Sequence, residues 1–382
     1  MNMHEASQQW ANRPTDQRFW DLKEMNTYLT TVKVASYERT VPFNSLEVVT
    51  VGDSGLAVQG DKKVPSAFTH WSFGQLCNLT GAPAGYLREL PNSLAANCLN
   101  HGMQTAENRQ CQLLGSAVKN GETVNTMRAI TSERYGRIWN VDLVNRISPL
   151  LDKGWRVPPA RPAMDDPRTR PATEADCLKH RMEGLGIKPG DMIAPAGLYA
   201  SEKDMFCFFV NEDKQIRDNL FRGFFIENSE VGDRAFKITM FLYNSVCGNH
   251  IIWGAEDVFK IRIVHMGSAE NRAFGRIRFD LNRYTDQSAT LEESRVQKAI
   301  EFKIAATPEA ALDLMFKRNI ASKKVLENGL AMAEEHEEDH LSDPLSAWGV
   351  ANGLTRYSQT MKHTDARTEI DKAAGKVLEL AF

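Results

Sequence analysis

The strictest match to a chemical motif lies at His336, Glu337 and His340, which satisfy the pattern H-E-x-x-H. On a helix, residues four apart share a face, so the two imidazoles would bind zinc while the glutamate activates a water molecule. The surrounding sequence argues against this, because residues 333–343 hold six acidic residues and no Lys or Arg. The remaining candidates for a third ligand are His363 and Glu369. We interpret the segment as a solvated acidic turn and expect no metal or other cofactor.

Polar residues also interrupt the strand-like stretch 225–254, at Asn228-Ser229-Glu230 and at Gly248-Asn249-His250. A carboxylate, an amide and an imidazole in loops at one sheet edge would suit an acid/base or metal site. Glu230, Asn249 and His250, with Asp257, would then serve a metal-dependent hydrolase of phosphodiesters or nucleotides. The same residue types equally suit turns in which polar side chains satisfy the local backbone. Turn chemistry is the favoured hypothesis, and the hydrolase stays open as an alternative.

Arginines surround an aromatic residue in the segment 128–137. Arg128, Arg134 and Arg137 flank Tyr135, and Trp139 follows directly. A guanidinium group binds phosphate in a bidentate way, and a neighbouring aromatic ring offers a surface on which a nucleic-acid base stacks. The pattern therefore predicts a nucleic-acid contact. The alternative is a solvated polar face that needs no ligand.

A second basic segment spans residues 258–283, where six basic residues stand against two acidic ones. The basic residues are Lys260, Arg262, Arg272, Arg276, Arg278 and Arg283. The alternation in FKIRIV places Lys260 and Arg262 on one strand face. From this segment we select Lys260, Arg262, Arg276 and Arg278 as phosphate ligands, with Trp253 as a further stacking residue.

The two basic segments both have the pattern of strands or strand ends. Strands of one sheet lie about 4.8 Å apart, so a sheet can place distant segments side by side. We therefore expect segments 128–137 and 258–283 to converge on one groove with a continuous row of arginines.

The order of the predicted elements indicates an α+β fold, with a mixed or antiparallel sheet body and a C-terminal helical region. Strand-like runs dominate up to about residue 285, and helical periodicity dominates from about residue 288. Five of the fifteen prolines lie in 157–174, which suits a linker or an exposed arm. We divide the chain into a disordered N-terminus (1–17), the first half of the body (18–156), the Pro-rich linker or arm (157–174), the β-rich second half of the body (175–287) and the helical region (288–382).

Composition narrows the class of protein. A net charge of −3 over 382 residues excludes a uniformly basic coat protein, although not a local basic face. No apolar run approaches the ~18–20 residues of a membrane span, and the polar start has no secretory-signal pattern. The six cysteines form no C-x-x-C pair, which favours reduced structural thiols. We expect a soluble, cytoplasmic protein without a membrane partner. The chain also has no P-loop, dinucleotide-binding glycine fingerprint or nucleophile elbow.

Several strings resemble a known family. The stretch NSEVGDRAFKITMFLYNSVCGNHIIWG is similar to the Asn-Ser-Glu-Val-Gly and Cys-x-Asn-Gly signature of the phage and plasmid proteins called domain of unknown function 932. Similar strings occur at 72–91, at 127–140 and at 346–360, so the resemblance extends from about residue 70 to 380. One departure is His250, where the family more often has glycine.

The resemblance implies a protein of a mobile element, whose usual setting is replication and recombination. It assigns no activity, because the function of the family is unknown, and whether the protein is an enzyme stays open, with a non-enzymatic role favoured. Together with the basic segments it leads to the hypothesis of a non-enzymatic protein that binds single-stranded DNA, in the form of an annealing factor or a homo-oligomer along the strand. A third possibility is an inhibitor of host defence that acts by protein–protein contact through the acidic helices.

Overall fold

The structure is a computed structural model, and it describes residues 17–52, 55–60, 64–106, 109–117, 125–157, 167–180, 188–195, 197–217, 220–244, 249–251, 260–337, 342–358, 360–361 and 364–382. The strands of this part are β1 (Arg18–Phe19), β2 (Ser36–Pro42), β3 (Glu47–Val51), β4 (Gly55–Gln59), β5 (Ser66–Phe68), β6 (Gln110–Ser116), β7 (Thr126–Ser132), β8 (Trp155–Arg156), β9 (Arg170–Pro171), β10 (Met192–Ile193), β11 (Leu198–Ala200), β12 (Met205–Arg217), β13 (Leu220–Asn228), β14 (Phe236–Asn244), β15 (Asn249–Ile251) and β16 (Lys260–Ile263).

The α-helices of the described part are α1 (Leu22–Val34), α2 (His70–Thr80), α3 (Ala84–Leu87), α4 (Asn92–Thr105), α5 (Asn140–Ile147), α6 (Glu174–His180), α7 (Ala269–Arg276), α8 (Asn282–Asp286), α9 (Thr290–Glu301), α10 (Pro308–Lys317), α11 (Lys323–Glu335), α12 (Ala347–Ser358) and α13 (Thr364–Leu378). A π-helical turn, Ile277–Leu281, joins α7 directly to α8. Short 3₁₀ turns occupy Phe43–Ser45, Ser148–Lys153 and Glu379–Ala381. The predicted α+β class is confirmed, with mixed and antiparallel sheets followed by helices.

The first sheet has the strand order β2-β6-β7-β5-β4-β3, and it is mixed because β5 and β7 run parallel. Strands β6 and β7 pair antiparallel, and residues 118–124 between them lie outside the described part. Helices α2 and α4 cover one face of the sheet, and their Leu76 and Leu99 are fully buried against Val58 and Met127. A capping box at Thr69 and Ser72 fixes the start of α2.

The second sheet is antiparallel, with the order β1-β11-β12-β13-β14-β15, while β8 pairs with β12 and β16 pairs with β14. Strand β12 is apolar on both faces, because Cys207 and Phe209 enter one core cluster and Phe208 enters another. The larger cluster joins this sheet to α1, α5 and the α7–α8 segment. This sheet is therefore buried over much of both faces, in agreement with its continuous apolar runs.

Elements from before residue 157 contribute to both sheets. Strand β1 pairs with β11, β8 pairs with β12, and Met25 of α1 and Leu143 of α5 lie in the core of the second sheet. The predicted first half of the body (18–156) therefore contributes strands to both sheets and does not form a separate unit. The other domain boundaries stay predictions, since residues 1–16 and 158–166 lie outside the described part.

The C-terminal helices have their own core cluster around Trp348, Leu354 and Val377. Helices α11 and α12 approach closely through glycines. A Cβ added to Gly353 would overlap the carbonyl oxygen of Gly329 and lie 2.6 Å from the backbone nitrogen of Ala333. Gly353 therefore serves helix packing, whereas a Cβ on Gly349 would meet Asp343 and Pro344 in the segment before α12. Among the described helices, none combines the length and apolarity needed to cross a bilayer.

Candidate nucleic-acid interface

The sequence-predicted residue Glu230 lies at the contact between the two sheets, not at an open loop. Asn228 and Ser229 are fully buried, and Glu230 is 3% exposed. Both carboxylate oxygens of Glu230 are engaged, because Arg128 Nη2 donates to Oε2 at 2.7 Å and the backbone nitrogen of Asn140 donates to Oε1 at 2.9 Å. The turn residues thus form a buried connection between the sheets.

Arg137 enters the same connection from the loop after β7. Its Nε forms an ion pair with Glu38, and its Nη1 donates to the backbone oxygen of Glu230. Arg128 is 6% exposed and Arg137 is 8% exposed. The prediction that these two arginines hold phosphate is therefore corrected. Their guanidinium groups are buried and already bound to acceptors of this chain, so a phosphate has no access to them.

Further hydrogen bonds tie the turn after β13 to the first sheet. Trp71 Nε1 and Gln75 Nε2 both donate to the carbonyl oxygen of Val231, at 2.9 and 2.7 Å. The Tyr135 hydroxyl donates to the carbonyl oxygen of Ser229 at 3.0 Å. Burial raises the pKa of this hydroxyl well above its ordinary value, so the phenol stays protonated and remains a donor. Tyr135 was predicted to stack bases, but its polar end is committed to this bond.

The two basic segments meet, but by a different route from the one predicted. Tyr135 and Met266 form an isolated antiparallel bridge outside the named strands. Gly136 N donates to the carbonyl oxygen of His265 at 3.2 Å, and Gly267 N donates to that of Arg134 at 3.0 Å. The contact between the two segments is therefore short and involves residues 134–136 and 265–267. It does not extend along the strands, because β7 and β16 belong to different sheets. A continuous row of all the predicted arginines does not form.

The imidazole of His265 is stacked on the Tyr135 ring, with centroids 5.2 Å apart. Its Nδ1 lies 3.1 Å from the carbonyl oxygen of Gly136, while its buried Nε2 has no partner among the described residues. Burial, with a smaller effect of the Arg137 charge, lowers the pKa of His265 below its ordinary value. The neutral ring is therefore the folded form. The sequence interpretation did not identify this histidine as part of the connection.

The other predicted residues lie in varied places. Arg134 and Arg262 are exposed, the latter on β16. Trp139 is half-buried below Lys33, whose Nζ is 5.4 Å from the ring centroid. Lys260 starts β16, although its side chain lies outside the described part, as do the side chains of Asn249 and His250. Trp253 and Asp257 lie outside the described residues altogether.

Arg276 and Arg278 lie on the continuous helical segment that contains α7, the π turn and α8. This segment buries Ala273, Ile277, Leu281 and Tyr284 in the core of the second sheet. Its solvent side carries the set that we call the arginine face: Arg272, Arg276, Arg278, Phe279 and Arg283. Phe279 is 66% exposed, although aromatic side chains are usually at least partly buried. A π turn within an α-helix is rare and frequently marks a functional site.

Two of the four arginines on the arginine face have partners within this chain. Arg272 Nη2 donates to the carbonyl oxygens of Val264 and Met266, at 3.2 and 2.9 Å. Arg276 is paired with Asp280, with Nε 2.6 Å from Oδ2. Within the described part of the chain, no carboxylate pairs with Arg278 or Arg283. Two further cations border the face, because Arg146 lies over the ring of Phe274 and Lys153 Nζ donates to Asn282 Oδ1 at 2.8 Å. An exposed aromatic ring among cations is the arrangement that binds single-stranded nucleic acid.

The H-E-x-x-H match and the hydrolase alternative find no geometric support among the described residues. Helix α11 ends at Glu335, with His336 as its C-cap, so the pattern starts where the helix stops. His340 and His363 lie outside the described part, and Glu369 is exposed and paired with Lys372. No group of three or more His, Cys, Asp or Glu side chains able to hold a metal ion occurs in the part that the structure describes.

Comparison of the chain with protein-family models, with curated proteins and with solved structures found no match. The function is therefore inferred from the residues described above.

Proposed function

We propose that this protein binds single-stranded DNA through the arginine face and acts without catalysis, in the replication or recombination of a phage or plasmid. The observation that carries the proposal is the exposed Phe279 among four arginines on one rigid helical segment. The mobile-element setting is supported by the resemblance of the sequence to domain of unknown function 932.

Each component has a distinct part in this mechanism. Arg278 and Arg283 hold phosphate oxygens, because arginine donates two parallel hydrogen bonds to a phosphate. Phe279 offers its ring to a base, and such stacking tolerates any sequence because every base has a π-face. Arg134 and Arg262, two further exposed members of the predicted set, extend the contact beyond the helix. Arg128 and Arg137 act indirectly, since they hold together the two sheets that carry these residues.

Fluorescence-polarisation titration of a labelled single-stranded oligonucleotide tests the proposal. The wild-type protein should bind at low salt, and Arg278→Ala/Arg283→Ala should bind about 30-fold more weakly, at about 1 kcal/mol for each lost phosphate contact. The matched control is Lys324→Ala/Lys376→Ala, which removes two exposed cations of the C-terminal helices. Absence of wild-type binding at low salt, or equal losses in both variants, would contradict the proposal.

A further inference from the structure

A groove with acidic rims lies among the C-terminal helices. Helices α10 and α11 and the segment Asp343–Leu345 enclose a volume of about 380 Å³. Its floor is apolar and includes Leu312, Leu330 and Leu345. Its rim carries Glu309, Glu327, Glu334 and Asp343. We call the floor and the rim together the acidic groove. The groove therefore combines an apolar base with a ring of negative charge.

The negative charge of the rim is only partly balanced. Asp343 is 2.7 Å from Lys303 Nζ, and Glu327 is 3.9 Å from Lys323 Nζ. Glu309 and Glu334 are exposed, and no cation pairs with either within the described residues. Among the described residues that line the groove, none is Lys or Arg. The negative rim repels the phosphates of nucleic acid. The groove instead suits a cationic protein surface that carries an apolar side chain.

The arginine face has the complementary composition. Phe279 lies between Arg276, three residues before it, and Arg283, four residues after it, and all three side chains are exposed on the same helical segment. An aromatic side chain that fills an apolar pocket of the partner is a recurring anchor of protein interfaces. Phe279 is 66% exposed, so its ring does not occupy a pocket of its own chain and is accessible to a partner.

We propose that the acidic groove of one protein molecule binds the arginine face of a second copy. Phe279 of one copy enters the apolar floor, and Arg276, Arg278 and Arg283 face the glutamates of the rim. The two surfaces are different, so the contact is head-to-tail, and it can continue from copy to copy as a ring or a filament. The proposal goes beyond DNA binding and does not require it. If both hold, DNA and the second copy compete for the same arginines.

Sedimentation velocity of the nuclease-treated protein, without DNA, tests the contact at about 50 mM and about 500 mM salt. The wild-type protein should form dimers or larger species at low salt and dissociate at high salt. Glu327→Lys/Glu334→Lys reverses the charge of two rim residues of the acidic groove. Phe279→Ala/Arg283→Ala removes the aromatic ring and one cation of the arginine face. Each variant should associate about tenfold more weakly than the wild-type protein. Glu89→Lys/Glu202→Lys is the control, since it reverses two exposed acids elsewhere.

Mixing the two variants gives the decisive result. Each keeps one intact half of the contact, so an equimolar mixture should form a 1:1 complex although neither variant associates alone. Circular dichroism establishes that both variants are folded. If Glu327→Lys/Glu334→Lys unfolds, the single change Glu334→Lys at an exposed residue replaces it. A monomeric wild-type protein at low salt, undiminished association of the groove variant, or no complex in the mixture would overturn the proposal. Because no DNA is present, these outcomes are independent of whether the protein binds DNA.

Discussion

Glu230 shows how a single buried carboxylate can organise a contact between two sheets. It accepts hydrogen bonds from Arg128 and from the backbone of Asn140, and its own carbonyl oxygen accepts from Arg137. Burial of charges is costly, so such a cluster adds little net stability over an apolar one. Its value is geometric, because the cluster is satisfied in only one relative position of the strands that supply it. We infer that it fixes how the two sheets meet.

Removing either member of the Arg128–Glu230 pair alone should therefore destabilise the protein. Arg128→Met or Glu230→Leu alone leaves an uncompensated buried charge and should cost about 3–5 kcal/mol of unfolding free energy. The double variant should cost less than the sum of the two, because no charge is left behind. Urea denaturation of the three variants measures this. Additive losses, or single losses below about 1 kcal/mol, would contradict the interpretation.

His265 should make stability depend on pH. Its pKa is lowered in the folded protein, chiefly by burial, while the unfolded chain takes up a proton near the ordinary value of 6.5. The unfolded state then binds more protons below pH 6.5, so the unfolding free energy falls as the pH decreases from 6.5 towards the folded pKa. In His265→Gln this loss should be smaller, whereas a change at the exposed His101 should leave it unaltered. Thermal unfolding of the wild-type protein and both variants between about pH 7 and 5.5 measures this pH dependence. Equal losses of stability in the three proteins would contradict the assignment to His265.

Phe279 should contribute to DNA binding without contributing to stability. Phe279→Ala removes a ring that is 66% exposed, so the midpoint of thermal unfolding should hardly change. Loss of base stacking should weaken single-strand binding by about 1–3 kcal/mol. Phe316, 51% exposed on α10, provides the matched control Phe316→Ala. Equal affinities of the two variants would remove Phe279 from the interface.

Among the elements, the α11–α12 pair depends most strongly on glycine. A methyl group at Gly353 meets backbone atoms of Gly329 and Ala333, which cannot move aside as a flexible side chain would. Gly353→Ala should therefore destabilise the protein by about 1–3 kcal/mol, despite the better helix propensity of alanine. Gly275→Ala is the control, because nothing lies within 4 Å of its added Cβ, and it should be neutral or slightly stabilising. Denaturant midpoints compare the two, and similar effects would argue against close helix packing.

Elements with a strong pattern were predictable from the sequence. The apolar runs MFCFFVN and FKITMFLYN are typical of strands and correspond to β12 and β14, and the helical periodicity after residue 288 corresponds to α9 to α13. The connection between the sheets was not predictable, because Arg128 lies in a strand that pairs with others of its own sheet while its partner Glu230 is 102 residues away. Charge alone does not tell a buried ion pair from an exposed phosphate ligand.

The arginine face was only half predicted. Arg276 and Arg278 were selected from their charge, but the α7–α8 segment was not recognised as one helix. The signal was present, because Ala269, Ala273, Ile277 and Leu281 recur every four residues and form its buried side. That period leaves Phe279 on the outside, so a helical interpretation would have marked it as an exposed aromatic residue among arginines.

At the scale of the whole molecule, the net charge of −3 conceals two opposite surfaces. The arginine face lies on the sheet body, and the acidic groove lies in the C-terminal helices. Such a separation gives a protein that is close to neutral one surface suited to phosphates and another suited to cations. The net charge reports only the sum of the two surfaces.

The central claim is that the arginine face holds DNA phosphates, and the salt dependence of binding tests it most directly. Each phosphate contact to a single strand contributes about −0.7 to the slope of log affinity against log salt. The slope for Arg278→Ala/Arg283→Ala should therefore be less negative than the wild-type slope by about 1.4, while Lys324→Ala/Lys376→Ala should keep the wild-type slope. Equal slopes in all three proteins would show that these arginines do not contact phosphate and would contradict the account.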